Sequence, residues 1–161
     1  MLVTPNIIPT PELPKWRHEV RQSGKKLVVT NGCFDILHLG HVRYLSEAKA
    51  LGDLLVVGIN DDASVQELKG PTRPINHEND RAEILVSLKA VDAVTLFSGK
   101  RCHDFLDIVQ PDIYTKGGDY LSVDDLDQGE VKIIRSHGGE IVILPLVPGK
   151  STTNIVAKMK A

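Results

Sequence analysis

The sequence predicts an α/β fold: a single-domain, Rossmann-like, doubly wound parallel sheet of about five strands with helices on both faces. Three observations carry that reading. Short apolar runs alternate with longer segments whose apolar residues recur at helical spacing, the pattern of strand–crossover–strand units. Leu54-Leu-Val-Val-Gly-Ile59 is apolar throughout, as a strand covered on both faces must be. The polar segments at 31–41, 60–74, 116–120 and 148–153 each follow a strand, and in such a sheet ligands gather beyond the carboxyl ends of strands, where the winding reverses.

The elements follow in order. Lys26 to Thr30 reads as the first strand, and Leu39 to Leu51 as a helix with Val42, Leu45 and Ala48 on its inward face and Gly52 as its stop. After the Leu54–Ile59 strand, Asn60-Asp-Asp62 offers cap residues for a short helix through Leu68. Lys69-Gly-Pro-Thr-Arg-Pro74 is interrupted by two prolines and a glycine and predicts a stiff loop. Asn76 is placed to cap a helix through Ala90 that turns Ile84, Leu85 and Leu88 inward. Ala93 to Leu96 is a third strand, and His103 to Gln110 a helix ended by Pro111. Ile113 to Lys116 is a fourth strand that opens onto Gly117-Gly-Asp-Tyr120. Glu130 to His137 is a helix backed by two glycines, Glu140 to Val147 a fifth strand, and Pro148 to Thr153 leads into a closing helix.

Composition removes several function classes. The 161 residues fit one domain with an ample core, and 42% hydrophobic with 25% charged residues is ordinary for a globular protein. Nineteen Lys and Arg against 21 Asp and Glu give a net charge of −2, with no basic stripe, so nucleic acid is not an expected partner. Cys33 and Cys102 are too few for a disulfide framework, which points to a reducing compartment. Met1 to Pro14 carries four prolines and lacks a signal peptide's basic-then-apolar order, and no run approaches the ~20 apolar residues of a membrane span. A cytoplasmic location without membrane partners is expected.

The chemistry is concentrated in Asn31-Gly-Cys-Phe-Asp-Ile-Leu-His-Leu-Gly-His41. Two histidines three residues apart sit where a strand turns into a helix, beside the free N–H groups and positive dipole end that favour a phosphate. Gly32 and Gly40 permit close backbone approach. Lys69 and Arg73 lie on the stiff loop, and Ser151, Thr152 and Thr153 begin the last helix, a second anion site. Together they suit a triphosphate. Metal ligation by the histidine pair is not expected, since the HExxH pattern and a completing Cys or Glu cluster are absent. Gly149-Lys-Ser resembles the end of a P-loop, but Leu144 stands where the opening glycine belongs. Neither GxGxxG after the first strand nor GxSxG occurs. His18, His77, His103 and His137 are isolated and receive no role.

His38-Leu-Gly-His41, preceded by Gly32-Cys-Phe-Asp35, resembles the HxGH signature of the nucleotidyltransferase superfamily. Thr30 to His41, Gly70 to Pro74, Asp80 to Glu83, Lys116 to Tyr120 and Leu146 to Thr153 together narrow the resemblance to the heptose 1-phosphate adenylyltransferases. In many bacteria these are the C-terminal half of a kinase–adenylyltransferase fusion. With no room here for a sugar kinase, the chain is similar to the stand-alone form. The resemblance covers about residues 25 to 160, dividing the chain into a Pro-containing extension and lead-in (1–24) and a nucleotidyltransferase domain (25–161). Two departures are visible: the first ~14 residues lack a family counterpart and read as an arm or packing extension, and Ser98-Gly-Lys-Arg-Cys102 replaces an acidic residue and Thr-Pro.

The resemblance implies transfer of AMP from Mg²⁺-bound ATP to D-glycero-β-D-manno-heptose 1-phosphate, giving ADP-heptose and pyrophosphate for lipopolysaccharide core synthesis. The sugar phosphate, with a second pKa near ~6, is already an anion and needs no general base. Implied catalytic residues are His38, His41 and Lys69. Implied nucleotide contacts are Gly32, Cys33, Phe34, Gly40, His41, Arg73, Lys116, Gly118, Ser151, Thr152 and Thr153. Asp35, Arg81 and Asp119 are implied at the sugar phosphate. Superfamily relatives often form dimers, so a homo-oligomer is an open expectation. Two alternatives remain: a cytidylyltransferase acting on glycerol 3-phosphate or another polyol phosphate, and a nucleotide-binding module without turnover.

Overall fold

The computed structural model describes residues 6–118 and 120–161. Five strands, β1 (Leu27–Gly32), β2 (Leu54–Asn60), β3 (Ala93–Phe97), β4 (Ile113–Gly117) and β5 (Glu140–Leu144), form one all-parallel sheet in the order β3-β2-β1-β4-β5. The winding therefore reverses between β1 and β4. Among the described residues seven α-helices accompany the strands: α1 (Leu13–Gln22), α2 (Leu39–Lys49), α3 (Asp62–Lys69), α4 (Glu78–Val86), α5 (His103–Val109), α6 (Gln128–Ser136) and α7 (Thr152–Lys160).

Strand alternation divides the core in two. Leu27, Val29, Val56 and Tyr114 face one layer, where Leu13 and Val20 of α1, Phe105 and Leu106 of α5 and Ile134 of α6 pack. Val28, Leu55 and Val57 face the other, against Leu45 and Ala48 of α2 and Ala82 and Leu85 of α4. Each Val, Leu, Ile or Phe side chain withdrawn from water contributes about 1.5–3 kcal/mol, which fixes the register of the central strands and hence what projects from their carboxyl ends.

The lead-in gains regular structure, and four local readings need correction. Residues 10–22, expected only as part of the lead-in, form a 3₁₀ turn and α1, whose buried residues are Leu13, Arg17 and Val20. The arm before it joins the sheet, with Ile7 bridged to Val94 and Thr10 Oγ1 donating to the Leu96 carbonyl at 2.7 Å. Val42 and Ile84 point outward, while Tyr44 and Ala82 take the inward positions. Asn76 does not cap α4; His77 occupies that position without a side-chain bond, and α4 ends at Val86 rather than near Ala90. The closing strand is also shorter than expected, ending at Leu144 before Pro145.

Pairing along β1 is asymmetric. With β2 it runs from Leu27–Leu54 to Gly32–Ile59, whereas with β4 it runs from Val28–Ile113 to Val29–Tyr114. Beyond that point the two strands are joined by side chains, and a crevice opens between their carboxyl ends.

Candidate active site

The turn from β1 into α2 is built to present two imidazoles. Phe34 takes a left-handed backbone conformation (φ 47°), which redirects the chain after Gly32, and a methyl group on Gly32 would lie 2.9 Å from the Phe34 ring. His38 is the N-cap of α2. Its Nδ1 accepts the Gly40 N–H at 3.1 Å, while its own main-chain N–H donates to Nδ1 of His41 at 3.3 Å. The rings lie with centroids 3.9 Å apart.

Those two bonds assign the tautomers. An Nδ1 that accepts an N–H carries the lone pair, so the proton of each neutral ring is on Nε2. Charging is disfavoured as well. Burial, together with the neighbouring His38 and Lys69, lowers the His41 pKa to about 4, and burial and Lys150 lower that of His38. Near neutral pH the pair offers two uncharged Nε2–H donors at the start of a helix.

The opposite wall comes from β4 and α7. Lys116 and Gly117 end β4, and Gly117 has no room for a methyl group, which would stand 2.7 Å from the Tyr44 ring. Ser151 caps α7 by accepting the Asn154 N–H at 3.1 Å, and Thr152 Oγ1 donates to the Ile36 carbonyl at 3.1 Å. The latter bond docks the helix start against the histidine-bearing turn. Lys69, the last residue of α3, and Arg73 close a third side. The resulting cleft has a volume of about 480 Å³.

Most sequence-predicted residues meet there: Gly32, Cys33, Phe34, Asp35, His38, Gly40, His41, Lys69, Arg73, Lys116, Ser151, Thr152 and Thr153 all line the cleft. Gly118 follows β4 with φ 141° and does not line it, and Asp119 lies outside the described residues. Cys33 is half-buried, and burial raises its thiol pKa, so it lines the wall as a thiol.

Two carboxylate and guanidinium assignments look different in three dimensions. The Asp35 side chain is 1% exposed and already occupied: it accepts from Arg73 Nε at 2.6 Å and from the main-chain N–H groups of Ile75 and Asn76 at 2.9 Å. Burial pushes its carboxyl up, but those N–H groups and the guanidinium outweigh it and hold the carboxyl below the usual range. Asp35 therefore clamps the 70–76 loop and orients Arg73. Arg81 is 1% exposed and does not line the cleft. It donates to the carbonyls of Cys33 (2.7 Å), Asn60 (2.9 Å) and Asn76 (3.1 Å) and to the Asp62 carboxylate (2.8 Å), tying the ends of β1 and β2 to α4.

Gly117, expected near the nucleotide and sugar phosphate together with Lys116, lines the cleft, and Asn31, Tyr44, Tyr120, Leu146 and Lys150 line it without having been assigned there. Asn31, Lys150 and Tyr120 stand inside the motif segments, and Tyr44 lies one helical turn beyond His41, so spacing could have found all four. Among the described residues there is no group of three or more His, Cys, Asp or Glu side chains placed to hold a metal ion, and no helix long and apolar enough to cross a membrane.

Comparison with known proteins follows the same lines. A sequence model of the cytidylyltransferase-like family matches residues 29–157. The bifunctional protein HldE of Methylobacillus flagellatus is 47% identical over 144 residues, which is 89% of this chain and 28% of that protein. The chain thus spans less than a third of the length of the curated relatives it matches. A lipopolysaccharide core biosynthesis protein from Thermoplasma volcanium superposes with a TM-score of 0.63 at 35% identity, covering 77% of this chain and 98% of that one. Pantoate–β-alanine ligase from Francisella tularensis shares the fold at 17% identity, with a TM-score of 0.54 over 96% of this chain and 77% of its own.

Proposed function

Since this chain belongs to the cytidylyltransferase-like family, we propose that it is a nucleotidyltransferase that joins AMP from ATP to D-glycero-β-D-manno-heptose 1-phosphate, releasing pyrophosphate. The observation that carries the reading is the tautomer-locked histidine pair, two neutral Nε2–H donors set in a cleft with Lys69, Arg73 and Lys150 and the start of α7.

The chemistry follows from that inventory. An oxygen of the sugar phosphate attacks the α-phosphorus, and the bond from that phosphorus to the α–β bridging oxygen breaks. No proton has to be removed from the attacking group, because it is already ionised. What remains is to hold two polyanions in line and to stabilise charge on the leaving pyrophosphate. His38 and His41 donate to the α-phosphate and the bridging region. Lys69 and Arg73 meet the β- and γ-phosphates, and the N–H groups at Thr152 and Thr153 add a second anion cradle. A neutral donor suits the α-phosphate, because its hydrogen bond strengthens as charge develops without fixing the ground state as a salt bridge.

Mg²⁺ enters this reading with ATP. Asp35 is committed to Arg73 and its loop, so the phosphates of ATP would supply the oxygen ligands, and the ion would neutralise part of their charge. The chain's part is to bind the phosphates around it. Synthesis of a nucleotide-activated heptose draws on ATP, which places the reaction in the cytoplasm in this reading.

The test is pyrophosphate release with Mg²⁺, crossing ATP, CTP, GTP and UTP with heptose 1-phosphate, glycerol 3-phosphate and other phosphomonoesters. Release confined to ATP with heptose 1-phosphate supports the proposal. Release with CTP and a polyol phosphate overturns the substrates while keeping the chemistry. ATP binding without release in any combination makes the chain a nucleotide-binding module.

A further inference from the structure

The seam between β1 and β4, where main-chain pairing gives out, is stitched on both faces of the sheet by buried side chains. On one face Thr30 Oγ1 lies 2.7 Å from the Tyr44 hydroxyl and donates to the Thr115 carbonyl at 3.1 Å, and Tyr44 in turn reaches Thr115 Oγ1 at 3.1 Å. On the other, the Tyr114 hydroxyl stands 2.6 Å from Asn31 Oδ1 and 3.1 Å from Glu130 Oε2. Glu130 projects from the first turn of α6, is 7% exposed, and holds Lys116 Nζ at 3.0 Å. The chain of contacts therefore starts at one cleft residue, Asn31, and returns to the cleft at another, Lys116.

Tyr114 has one hydroxyl hydrogen and burial keeps it there, so the shorter contact, to Asn31 Oδ1, is the one it serves. With Oδ1 committed inward, the Asn31 amide is left with Nδ2 as its free donor. Glu130 is satisfied by Lys116 and by the Cys102 thiol at 3.2 Å, whose pKa burial and Glu130 push up to about 12, so that it too remains a donor. Lys116 is thus fixed over the β4 end by a nearly buried carboxylate.

We infer that Tyr114 and Glu130 are positioning residues that orient Asn31 as a donor and hold Lys116 in the wall of the cleft, where both meet the phosphates of the substrates. This rests on the nucleotidyltransfer reading. It adds residues that touch no substrate and that lie behind the wall of the cleft.

Tyr114→Phe, Glu130→Gln, Asn31→Ala and the double variant Tyr114→Phe/Asn31→Ala test it. ATP and heptose 1-phosphate are titrated calorimetrically with Mg²⁺ present, with KM, kcat and thermal midpoints alongside. The expected result is a 5- to 20-fold rise in Kd and KM for at least one of the two ligands in Tyr114→Phe, with a smaller change in kcat. The double variant should be no weaker than Asn31→Ala alone, because the phenol acts through the amide. Lowered thermal midpoints with wild-type Kd and KM would reduce the pair to core structure and overturn the inference, as would fully additive losses. If the wild-type chain binds both ligands without turnover, the functional reading fails, and the Kd comparison still decides this one. A wild-type chain that binds neither ligand overturns both.

Discussion

The main-chain N–H of His38 donates to Nδ1 of His41, and that one bond at 3.3 Å both caps a helix and selects the tautomer of the ring beyond it. Folding and chemistry are coupled there, since the helix start cannot form this way without leaving the Nε2–H of His41 free to act. His41→Ala is expected to lower kcat by a factor of about 10²–10³, to leave KM for ATP within a few-fold of wild type, and to keep the far-UV spectrum. A near-normal kcat in that variant would remove His41 from the reaction.

Acid should destabilise the protein through the same residue. His41 has a folded-state pKa of about 4 against 6.5 for a free histidine, so between those values the unfolded chain takes up a proton that the folded chain refuses. The unfolded state then binds more protons, and stability falls as pH drops through that window. His38, lowered in the same direction, adds to the trend. Thermal midpoints measured from pH 7 to pH 4.5 should decline less steeply in His41→Gln, and parallel curves for the two proteins would contradict the assignment.

Asp35 should prove a stability residue with an indirect effect on binding. Removing one partner of a buried ion pair costs about 3–5 kcal/mol, and at about 2–4 °C per kcal/mol for a domain of this size Asp35→Ala is expected to lose at least 6 °C in thermal midpoint. With the 70–76 loop released and Arg73 unheld, KM for ATP should rise about tenfold. Asp35→Asn, which retains an acceptor for Ile75 or Asn76 but not the charge, should fall between the two proteins on both scales.

Arg81 is expected to affect folding rather than ligand binding. Lysine keeps the charge but cannot span three carbonyls and a carboxylate with one ammonium group. Arg81→Lys should therefore cost about 2–3 kcal/mol through acceptors left unpaired, with KM for both substrates unchanged in the folded protein. Unchanged melting with a raised KM for heptose 1-phosphate would return Arg81 to the substrate.

Much of this was legible in the chain. The sheet, its strand boundaries to within a few residues and the convergence of 31–41, 69–73, Lys116 and 151–153 on one cleft all follow from apolar runs and what interrupts them. What escaped depended on distant partners. The buried face of α1 is Leu13, Arg17 and Val20 with Trp16 packed beside them, and four prolines around it together with a central arginine, bonded to the Gln110 carbonyl, obscure the helical period that Leu13, Trp16 and Val20 mark. Asp35 reads as a free motif carboxylate because nothing near it in sequence announces that Arg73, Ile75 and Asn76 return to it. Lys150 belongs to a segment that resembles only the end of a P-loop, yet the Thr152–Ile36 bond carries the lysine to the histidines all the same.

The first described residues have a consequence outside the cleft. The Val94 N–H donates to the Asn6 carbonyl and the Ile8 N–H to the Val94 carbonyl, so the outer rim of β3 is consumed by the chain's own beginning. A bare rim of main-chain donors and acceptors is a template for any other extended chain, including a second copy in a crowded solution, and the arm covers that rim at Val94. The segment read as an arm or packing extension therefore works as a hem over Val94 and Leu96, blunting one border of the sheet to self-addition, while β5 forms the other border.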